Sequence, residues 1–308
     1  MPVLVLDFHG DILPVAGDER LYAFDYDGNR SFVNPFHLEP RYESRLTPTR
    51  LKWEFIEAWR SHYSSMGIQQ INFLTELVEG AFESKGITDS PETWHHQVTF
   101  EDVLTAFDES EAAESVKVKI RAYMKRYAEW RIFHGGEGIA VERFLEESAR
   151  LDLSQLDDTA RNLLADVVLR RLFLIVRALG PVDSNAGGWD RFRAYVVIDE
   201  AQLLMGGNSE AKASLSKYAA EARKFGLGLI LATQLRDNVP AEIWGNIDTR
   251  LFMQALDPSE RARNAKAANV PENVLKSLAR GQAILTSSSQ PNQRPLAIQI
   301  EPSWLRPG

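Results

Sequence analysis

Two adjacent acidic residues, Asp199 and Glu200, follow the apolar run 195–198 and form the most specific chemical feature of the sequence. The run predicts a buried strand, and ligands of open α/β sheets bind at the carboxyl ends of the strands. There Asp199 could hold Mg²⁺ through a bound water, because Mg²⁺ prefers carboxylate and water oxygens. Glu200 could polarise the water that attacks a γ-phosphate. The alternative is a core strand that ends in a solvated acidic pair.

A second apolar run, 227–232, ends in the polar residues Thr233 and Gln234. A neutral amide beside a γ-phosphate can hydrogen-bond the attacking water; alternatively, the Gln234 side chain caps the next loop. A single predicted helix over 209–224 separates the two runs, so the two strands should be neighbours or near neighbours. Their polar ends are therefore expected to face the same crevice.

The last third of the sequence alternates between strand and helix patterns, which predicts a parallel sheet with helices on both faces. The predicted strands are 194–198, 227–233, 250–254, 281–286 and 295–300, and the predicted helices are 209–224, 240–244, 258–268 and 271–279. Upstream, the patterns predict a strand over 3–6, a hairpin over 21–33 that turns at Asp27-Gly28, a strand over 148–153 and a long buried helix from Asp157 or Asp158 to about 179.

The segment 48–130 changes to helical periodicity, and we interpret it as an all-α insertion. Its fourth predicted helix, 114–131, mixes basic and aromatic residues between Arg121 and Arg131. These residues could bind nucleic acid through phosphate contacts and stacking. An amphipathic helix with its aromatic residues packed inward is favoured, because charge runs usually form solvated faces. The predicted organisation is an α/β core over 1–47 and 138–308, with 48–137 inserted as the all-α part.

Composition excludes several classes of protein. The 308 residues contain no cysteine, which rules out disulfides, cysteine zinc sites and thiol nucleophiles and fits a cytoplasmic location. No apolar run approaches the ~20 residues of a membrane span. The net charge of −8 argues against a surface that coats nucleic acid. Any contact with DNA must come from a small local patch, such as a pore loop in a ring.

The combined motifs resemble the HerA/FtsK group of P-loop ATPases, which includes the HerA-like and type IV secretion ATPases. The resemblance rests on the segments 196–202, 222–226, 231–234 and 246–250, and it extends upstream to 6–11 and 150–154. It implies a RecA-like sheet, ATP and Mg²⁺ as cofactors, and a homo-oligomeric ring, a hexamer, that moves DNA or a protein–DNA complex through a central channel. In this group the acidic pair is the Walker B half of the ATP site.

The same resemblance assigns roles to further residues. It implies that Arg223 and Arg250 reach the phosphates of a neighbouring subunit and stabilise transition-state charge there. The alternative for Arg223 is a solvated cation at a helix C-terminus, where the macrodipole favours it, and for Lys224 we favour that alternative. Asp7 follows the strand 3–6 in the same crevice, where it contacts the nucleotide ribose or shapes the site. The expected catalytic residues are Glu200, Gln234, Arg250 and Arg223, and the expected nucleotide contacts are Asp199, Glu200, Asp7, Thr233 and Gln234.

The Walker A loop, Gly-x-x-x-x-Gly-Lys-Ser/Thr, does not occur in the sequence. The segment 206–213 is rich in glycine, but it lacks the second glycine and the Ser/Thr. In the group, this loop precedes the strand that is here 3–6. Three explanations remain open: a fragment of a longer ATPase, one half of a split ATPase whose partner chain carries the P-loop, or a degenerate paralogue. The last would make the protein a non-catalytic scaffold or a nucleotide-sensing regulatory subunit.

Overall fold

The computed structural model describes residues 1–12, 20–23, 33–42, 46–63, 65–130, 132–133, 139–183, 191–205, 209–288 and 294–300. The chain divides into two compact units. The first contains the described residues up to Ala232, and the second contains those from Thr233 onward. Among the described residues, no helix combines the length and the apolarity needed to cross a membrane.

The first unit is built on a five-stranded parallel sheet with the order β2-β3-β1-β4-β5. The strands are β1 Val3–Asp7, β2 Arg20–Ala23, β3 Ala149–Asp152, β4 Ala194–Ile198 and β5 Leu227–Leu231. The apolar runs of β1 and β4 lie at the centre, as expected for strands that are covered on both faces. Because all strands are parallel, their carboxyl ends share one edge of the sheet.

Among the described residues of the segment 21–33, the predicted hairpin pairing is not seen. β2 lies at the edge of the main sheet, where it pairs in parallel with β3, and Val33 forms an isolated parallel bridge with Ile139. The two described flanks therefore pair with other parts of the chain, and the Asp27-Gly28 turn lies outside the described residues. The open edge of β3 offers unpaired backbone groups, and this long-range partner has no local signal in the sequence.

Four helices form the all-α part of the first unit: α1 Pro48–His62, α2 Ile68–Ser84, α3 Phe100–Glu109 and α4 Glu114–Trp130. α1 begins at Pro48 with Thr47 as its N-cap, and α3 begins with a capping box of Thr99 and Asp102. The core of this part is aromatic. Phe55 contacts the rings of Phe36, Trp59, Phe100 and Phe133 at centroid distances of 4.9 to 6.2 Å.

The basic and aromatic helix α4 is amphipathic. Met124 and Tyr127 are fully buried, whereas Arg121 is exposed and forms an ion pair with Glu114. This arrangement agrees with the interpretation in which the aromatic residues pack inward and the charges form a solvated face.

Helix α5, Asp158–Ala178, is capped by Asp157 and buried on nearly every side, as predicted. It packs against α1 and against the short helix α6, Gln202–Met205. The next helix, α7, spans Ser209–Glu221 and continues as a 3₁₀ turn over Ala222–Phe225. Gly226 ends this turn with φ +77°, where a Cβ would lie 2.6 Å from Val182 Cγ1. The single helix predicted over 209–224 is therefore an α-helix followed by a tighter last turn.

The second unit contains an antiparallel sheet, so the prediction that the last strands extend the parallel sheet is wrong. The order is β6-β7-β8, with β6 Thr249–Phe252, β7 Gln282–Ser287 and β8 Leu296–Gln299. Only residues 288–295 connect β7 to β8, and a parallel crossover needs a dozen residues or more. The helices of this unit are α8 Ala241–Asn246, α9 Pro258–Ala268 and α10 Glu272–Lys276. Phe252 and Ile284 pack with Leu275 in its core.

Candidate functional site

The carboxyl edge of the parallel sheet brings acidic residues together. Asp7 and Asp152 are register partners at the ends of β1 and β3. On the other side of β1, Leu6 pairs with Ile198, and the Asp199 N–H donates to the Leu6 carbonyl at 3.1 Å. Adjacent strands thus present three carboxylates at one edge, as the position of the acidic pair after an apolar run predicts.

Asp7 is completely buried and its carboxylate is fully engaged. One oxygen accepts the N–H groups of His9 at 3.1 Å and Gly10 at 2.7 Å. The other accepts the Ile12 N–H at 3.2 Å and an Arg150 Nη1 hydrogen at 3.1 Å. Arg150 Nη1 also donates to the Ile12 carbonyl. Four donors use the lone pairs of this carboxylate, so its chemistry in the structure is to shape the loop 8–12.

Gly10 is required in this loop for two reasons. Its φ of +74° belongs to the left-handed region, and an added Cβ would lie 2.7 Å from Ser154 Oγ. Ser154 is itself held by Asp152, whose carboxylate accepts the Ser154 N–H at 3.0 Å and its hydroxyl at 2.7 Å. The loops after β1 and β3 are therefore in direct contact at the sheet edge.

Asp199 lies among other negative charges. Partial burial raises the pKa of its carboxyl group, and the nearby carboxylates of Glu200, Asp11 and Asp7 raise that pKa further. Carboxylate oxygens of Asp7, Asp11 and Asp199 lie within 4.8 Å of one another. Sequence reasoning missed Asp11; its place just after the turn that follows β1 is the signal that could have found it.

The donor set at this edge fits Mg²⁺, which prefers carboxylate and water oxygens. Because the oxygens of Asp7 already accept four hydrogen bonds, Asp199 and the exposed Asp11 are the members that can offer an oxygen. A divalent cation there would also offset the repulsion that raises the Asp199 pKa.

Glu200 adopts an unusual backbone conformation. Its φ of +49° lies in the left-handed region, which is uncommon for a residue other than glycine. The side chain is 12% exposed; it accepts a hydrogen bond from Gln202 Nε2 and lies 4.0 Å from His9 Nε2. The next residue, Ala201, donates its N–H to the Ala232 carbonyl at 2.8 Å and so ties the turn to the end of β5. Such strain persists where the surroundings over-determine it, which is frequent at active sites.

Thr233 and Gln234 follow β5, which ends at Leu231, two residues earlier than predicted. Both residues are exposed and lie in the second unit. The Thr233 hydroxyl donates to the Leu235 carbonyl at 3.2 Å and accepts the Leu235 N–H at 3.3 Å. This local turn fixes the start of the segment that leads to α8.

Arg223 lies in the 3₁₀ turn after α7, where its side chain is exposed. Within the described part of the chain, its guanidinium has neither a hydrogen-bond nor an ion-pair partner. The position is compatible with both interpretations given above, a contact across a subunit interface and a solvated cation.

Arg250 lies in β6 and packs on an indole ring. Its guanidinium carbon is 4.6 Å from the Trp244 ring centroid, and its Nη2 donates to the Trp244 carbonyl at 2.8 Å. Arg236, which sequence reasoning missed, lies 4.7 Å from the same centroid. Burial lowers the pKa of Arg250, and the positive charge of Arg236 lowers it further. The Nε atoms of both arginines are buried without a hydrogen-bond partner among the described residues. Two cations on one ring form a strongly positive spot in the second unit.

Comparisons with known proteins agree with the sequence motifs. No family model matches the chain. The DNA double-strand break repair helicase HerA of Saccharolobus solfataricus is 23% identical over 92% of this chain, and the chain spans 55% of that relative. The chain thus covers about half the length of this curated relative. The resemblance to HerA-like ATPases of the HerA/FtsK group is confirmed.

Solved structures confirm the fold. VirB4 of Thermoanaerobacter pseudethanolicus matches 98% of this chain and 82% of its own, with a TM-score of 0.70 and 15% identity. The bacterial conjugative coupling protein TrwB matches 97% of this chain and 78% of its own, with a TM-score of 0.61 and 13% identity. TrwB has also been solved with ADP and Mg²⁺, and that structure matches with a TM-score of 0.53, 12% identity and coverage of 97% and 85%. The predicted α/β fold of the RecA-like P-loop NTPase type is correct.

Proposed function

From the resemblance to HerA-like ATPases and the shared fold, we propose that this chain is the Walker B part of an ATP-hydrolysing motor that moves DNA or a protein–DNA complex. The observation that carries the proposal is the pair Asp199 and Glu200 at the carboxyl end of a central strand, with Glu200 held at φ +49°. A solvated pair at a strand end has no need of a strained backbone. Backbone strain of this kind clusters at active sites, where the position of a catalytic side chain must be fixed.

In this proposal the acidic residues at the sheet edge have different roles. Asp199 holds Mg²⁺ through a bound water, and Asp11 is placed to share that role. Mg²⁺ neutralises phosphate charge when ATP is bound. Glu200 accepts hydrogen bonds from the water that attacks the γ-phosphate, and the contact with Gln202 orients its carboxylate. Asp7 acts as a positioning residue, since its four hydrogen bonds hold the loop that carries Asp11. In this proposal Thr233 and Gln234 contact the γ-phosphate side of the nucleotide.

The phosphate-binding half of the site comes from elsewhere, because the 308 residues contain no Gly-x-x-x-x-Gly-Lys-Ser/Thr sequence. In this proposal, upstream sequence of a longer protein or a partner chain supplies the Walker A loop. The Walker A backbone and lysine cradle the β- and γ-phosphates in P-loop ATPases. ATP hydrolysis by this chain therefore requires a Walker A loop from one of these two sources.

In this proposal one arginine from each unit, Arg223 from the first and Arg250 from the second, acts across a subunit interface. In a hexameric ring, Arg250 and Arg223 of one subunit approach the γ-phosphate bound by the neighbouring subunit. The buried, unpartnered Nε atoms of Arg250 and Arg236 support this role, because the donors of a buried guanidinium need acceptors. Phosphate oxygens would satisfy these donors and gain transition-state stabilisation from them.

The test is ATP hydrolysis with the Walker A loop supplied, either in the longer protein or with the partner chain. Glu200→Gln should abolish hydrolysis and leave ATP binding nearly intact, since the amide keeps the shape of the side chain and loses its charge. Glu242→Gln is the matched control, because Glu242 is an exposed acid in α8 of the second unit. Hydrolysis by Glu200→Gln at the rate of the control would rule out Glu200 as the catalytic carboxylate.

A further inference from the structure

A cavity of about 360 Å³ lies among helices α1, α5 and α7 of the first unit. Helix α1 belongs to the all-α part, whereas α5 and α7 flank β4 along the chain. The volume lies in the range of small-molecule sites, which often form where two structural parts meet. Phe173, Leu174 and Tyr218 give the cavity an apolar floor, and most of the other lining residues are charged.

The cavity is positive in a chain of negative net charge. Five cationic residues and two acidic residues line it, whereas the whole chain carries −8; the cations are Arg50, Arg60, Arg170, Arg177 and Lys217. Glu54 accepts from Arg50 at 2.9 Å and from Arg170 at 3.4 Å, and Glu57 pairs with Arg60 at 3.3 Å. Both acids that line the cavity are therefore already committed to three of the cations.

Arg177 and Lys217 are left without a carboxylate. The Arg177 guanidinium carbon lies 5.6 Å from the Phe173 ring centroid and 5.8 Å from that of Phe225, and Lys217 is exposed. In the described ranges of the chain, neither side chain has an ion-pair or hydrogen-bond partner. Burial raises the pKa of the Tyr218 hydroxyl, which therefore stays protonated and can donate a hydrogen bond. The walls thus present an excess of donors and positive charge to the space they enclose.

We propose that this cavity binds a small, multiply charged phosphate compound, with a diphosphate group as its recognised part. Arginine and lysine donors that approach from three helices suit a group with several oxygens in tetrahedral geometry better than a single planar carboxylate. Charge-assisted hydrogen bonds to phosphate are among the strongest that a protein makes. The ligand contacts α1 from one part and α5 and α7 from the other, so it ties the all-α part to the sheet.

The cavity is distinct from the acidic sheet edge. Arg161, in the first turn of α5, approaches that edge, since its guanidinium lies 5.7 Å from the Phe8 ring centroid. Phe173 lies twelve residues further along α5 and Arg177 sixteen, about 20 Å away at about 1.5 Å per residue. The edge carries Asp7, Asp11, Asp199 and Glu200, which repel an anion when no metal is bound. Binding at the two places is therefore separable.

The experiment is isothermal titration of the full chain with inorganic pyrophosphate at low salt, with a chelator present so that no metal bridges the ligand to the acidic edge. We expect dissociation constants tighter than about 1 mM and a pyrophosphate-dependent rise of the melting temperature. Arg177→Gln and Lys217→Gln should each weaken binding about tenfold, because each removes a charge-assisted contact. Both variants remove a cation without an ionic partner, so they should fold normally, which circular dichroism verifies.

Control variants locate the site. Lys266→Gln removes an exposed cation from α9 in the second unit, and Lys276→Gln removes another from α10. Both should bind pyrophosphate like the original chain. Absence of binding tighter than about 1 mM, or equal affinities for Arg177→Gln, Lys217→Gln and the controls, would overturn the proposal. So would Lys217-dependent binding of a polyglutamate peptide or a short oligonucleotide without any binding of pyrophosphate, because the occupant would then be an acidic protein segment or nucleic acid.

Discussion

Replacement of Asp7 by asparagine is the sharpest test of the carboxyl-edge geometry. The carboxylate accepts four donors, two on each oxygen. The asparagine oxygen can accept only two of them, and its amide turns N–H donors toward the other two. Arg150, whose side chain is 8% exposed, also loses its counter-charge. Breaking a buried ion pair by removing one partner costs about 3–5 kcal/mol, so we expect Asp7→Asn to lower the free energy of unfolding by that amount.

Urea unfolding, followed by tryptophan fluorescence and by circular dichroism, measures the loss without any nucleotide. Asp11→Asn is the matched control: it lies in the same loop but is exposed, so its effect should stay within about 0.5 kcal/mol. The double variant Asp7→Asn with Arg150→Met should lose less than the two single variants together, since the paired groups couple. A loss below about 1 kcal/mol in Asp7→Asn would refute this reasoning. Asp7 would then be free to serve the nucleotide rather than the loop.

Nucleotide binding, subunit mixing and unfolding experiments test other parts of the structure. Isothermal titration with ATP and Mg²⁺ should find weak binding to the chain alone, because the P-loop contacts are absent; micromolar affinity would contradict this. When the Walker A loop is supplied, mixing the Glu200→Gln and Arg250→Ala variants should restore part of the ATPase activity that each has lost, since mixed rings contain some intact interfaces. Sedimentation verifies that the rings assemble. If they assemble and no activity returns, Arg250 has a cis or structural role. Asp199→Asn should raise the urea midpoint of unfolding at neutral pH, because the raised pKa of Asp199 means that its ionised form destabilises the fold. This gain in stability should shrink as the pH falls through the pKa of the folded state toward about 4. A gain that does not depend on pH would exclude charge repulsion as the cause. Gly228→Ala should destabilise the protein by about 1–3 kcal/mol, because the new Cβ overlaps the Tyr195 ring. Gly80→Ala in α2 should instead stabilise the protein by about 0.5–1 kcal/mol, because its new Cβ meets no atom within 4 Å. Equal effects of the two variants on urea unfolding would contradict the packing of β4 against β5.

The sequence by itself determined the features that depend on local pattern. The apolar runs of β1 and β4 predicted buried central strands, and the acids after them predicted the ligand-binding edge, because a strand end and its polarity lie within a few residues. The capping residue Asp157 marked the start of α5 for the same reason. These local signals also carried the resemblance to HerA-like ATPases and therefore the fold.

Only the tertiary structure decided which groups meet across long distances in the chain. β2 pairs with β3, and β6, β7 and β8 form a separate antiparallel sheet. Hydrogen bonds between strands form where two segments lie close together in the fold, whatever their separation along the chain. Asp7 and Arg150 are 143 residues apart in the chain, and only the folded structure brings the guanidinium group against the carboxylate. The left-handed backbone of Glu200 has no sequence signal either, because the contacts of the packed turn impose it against the intrinsic preference of the residue.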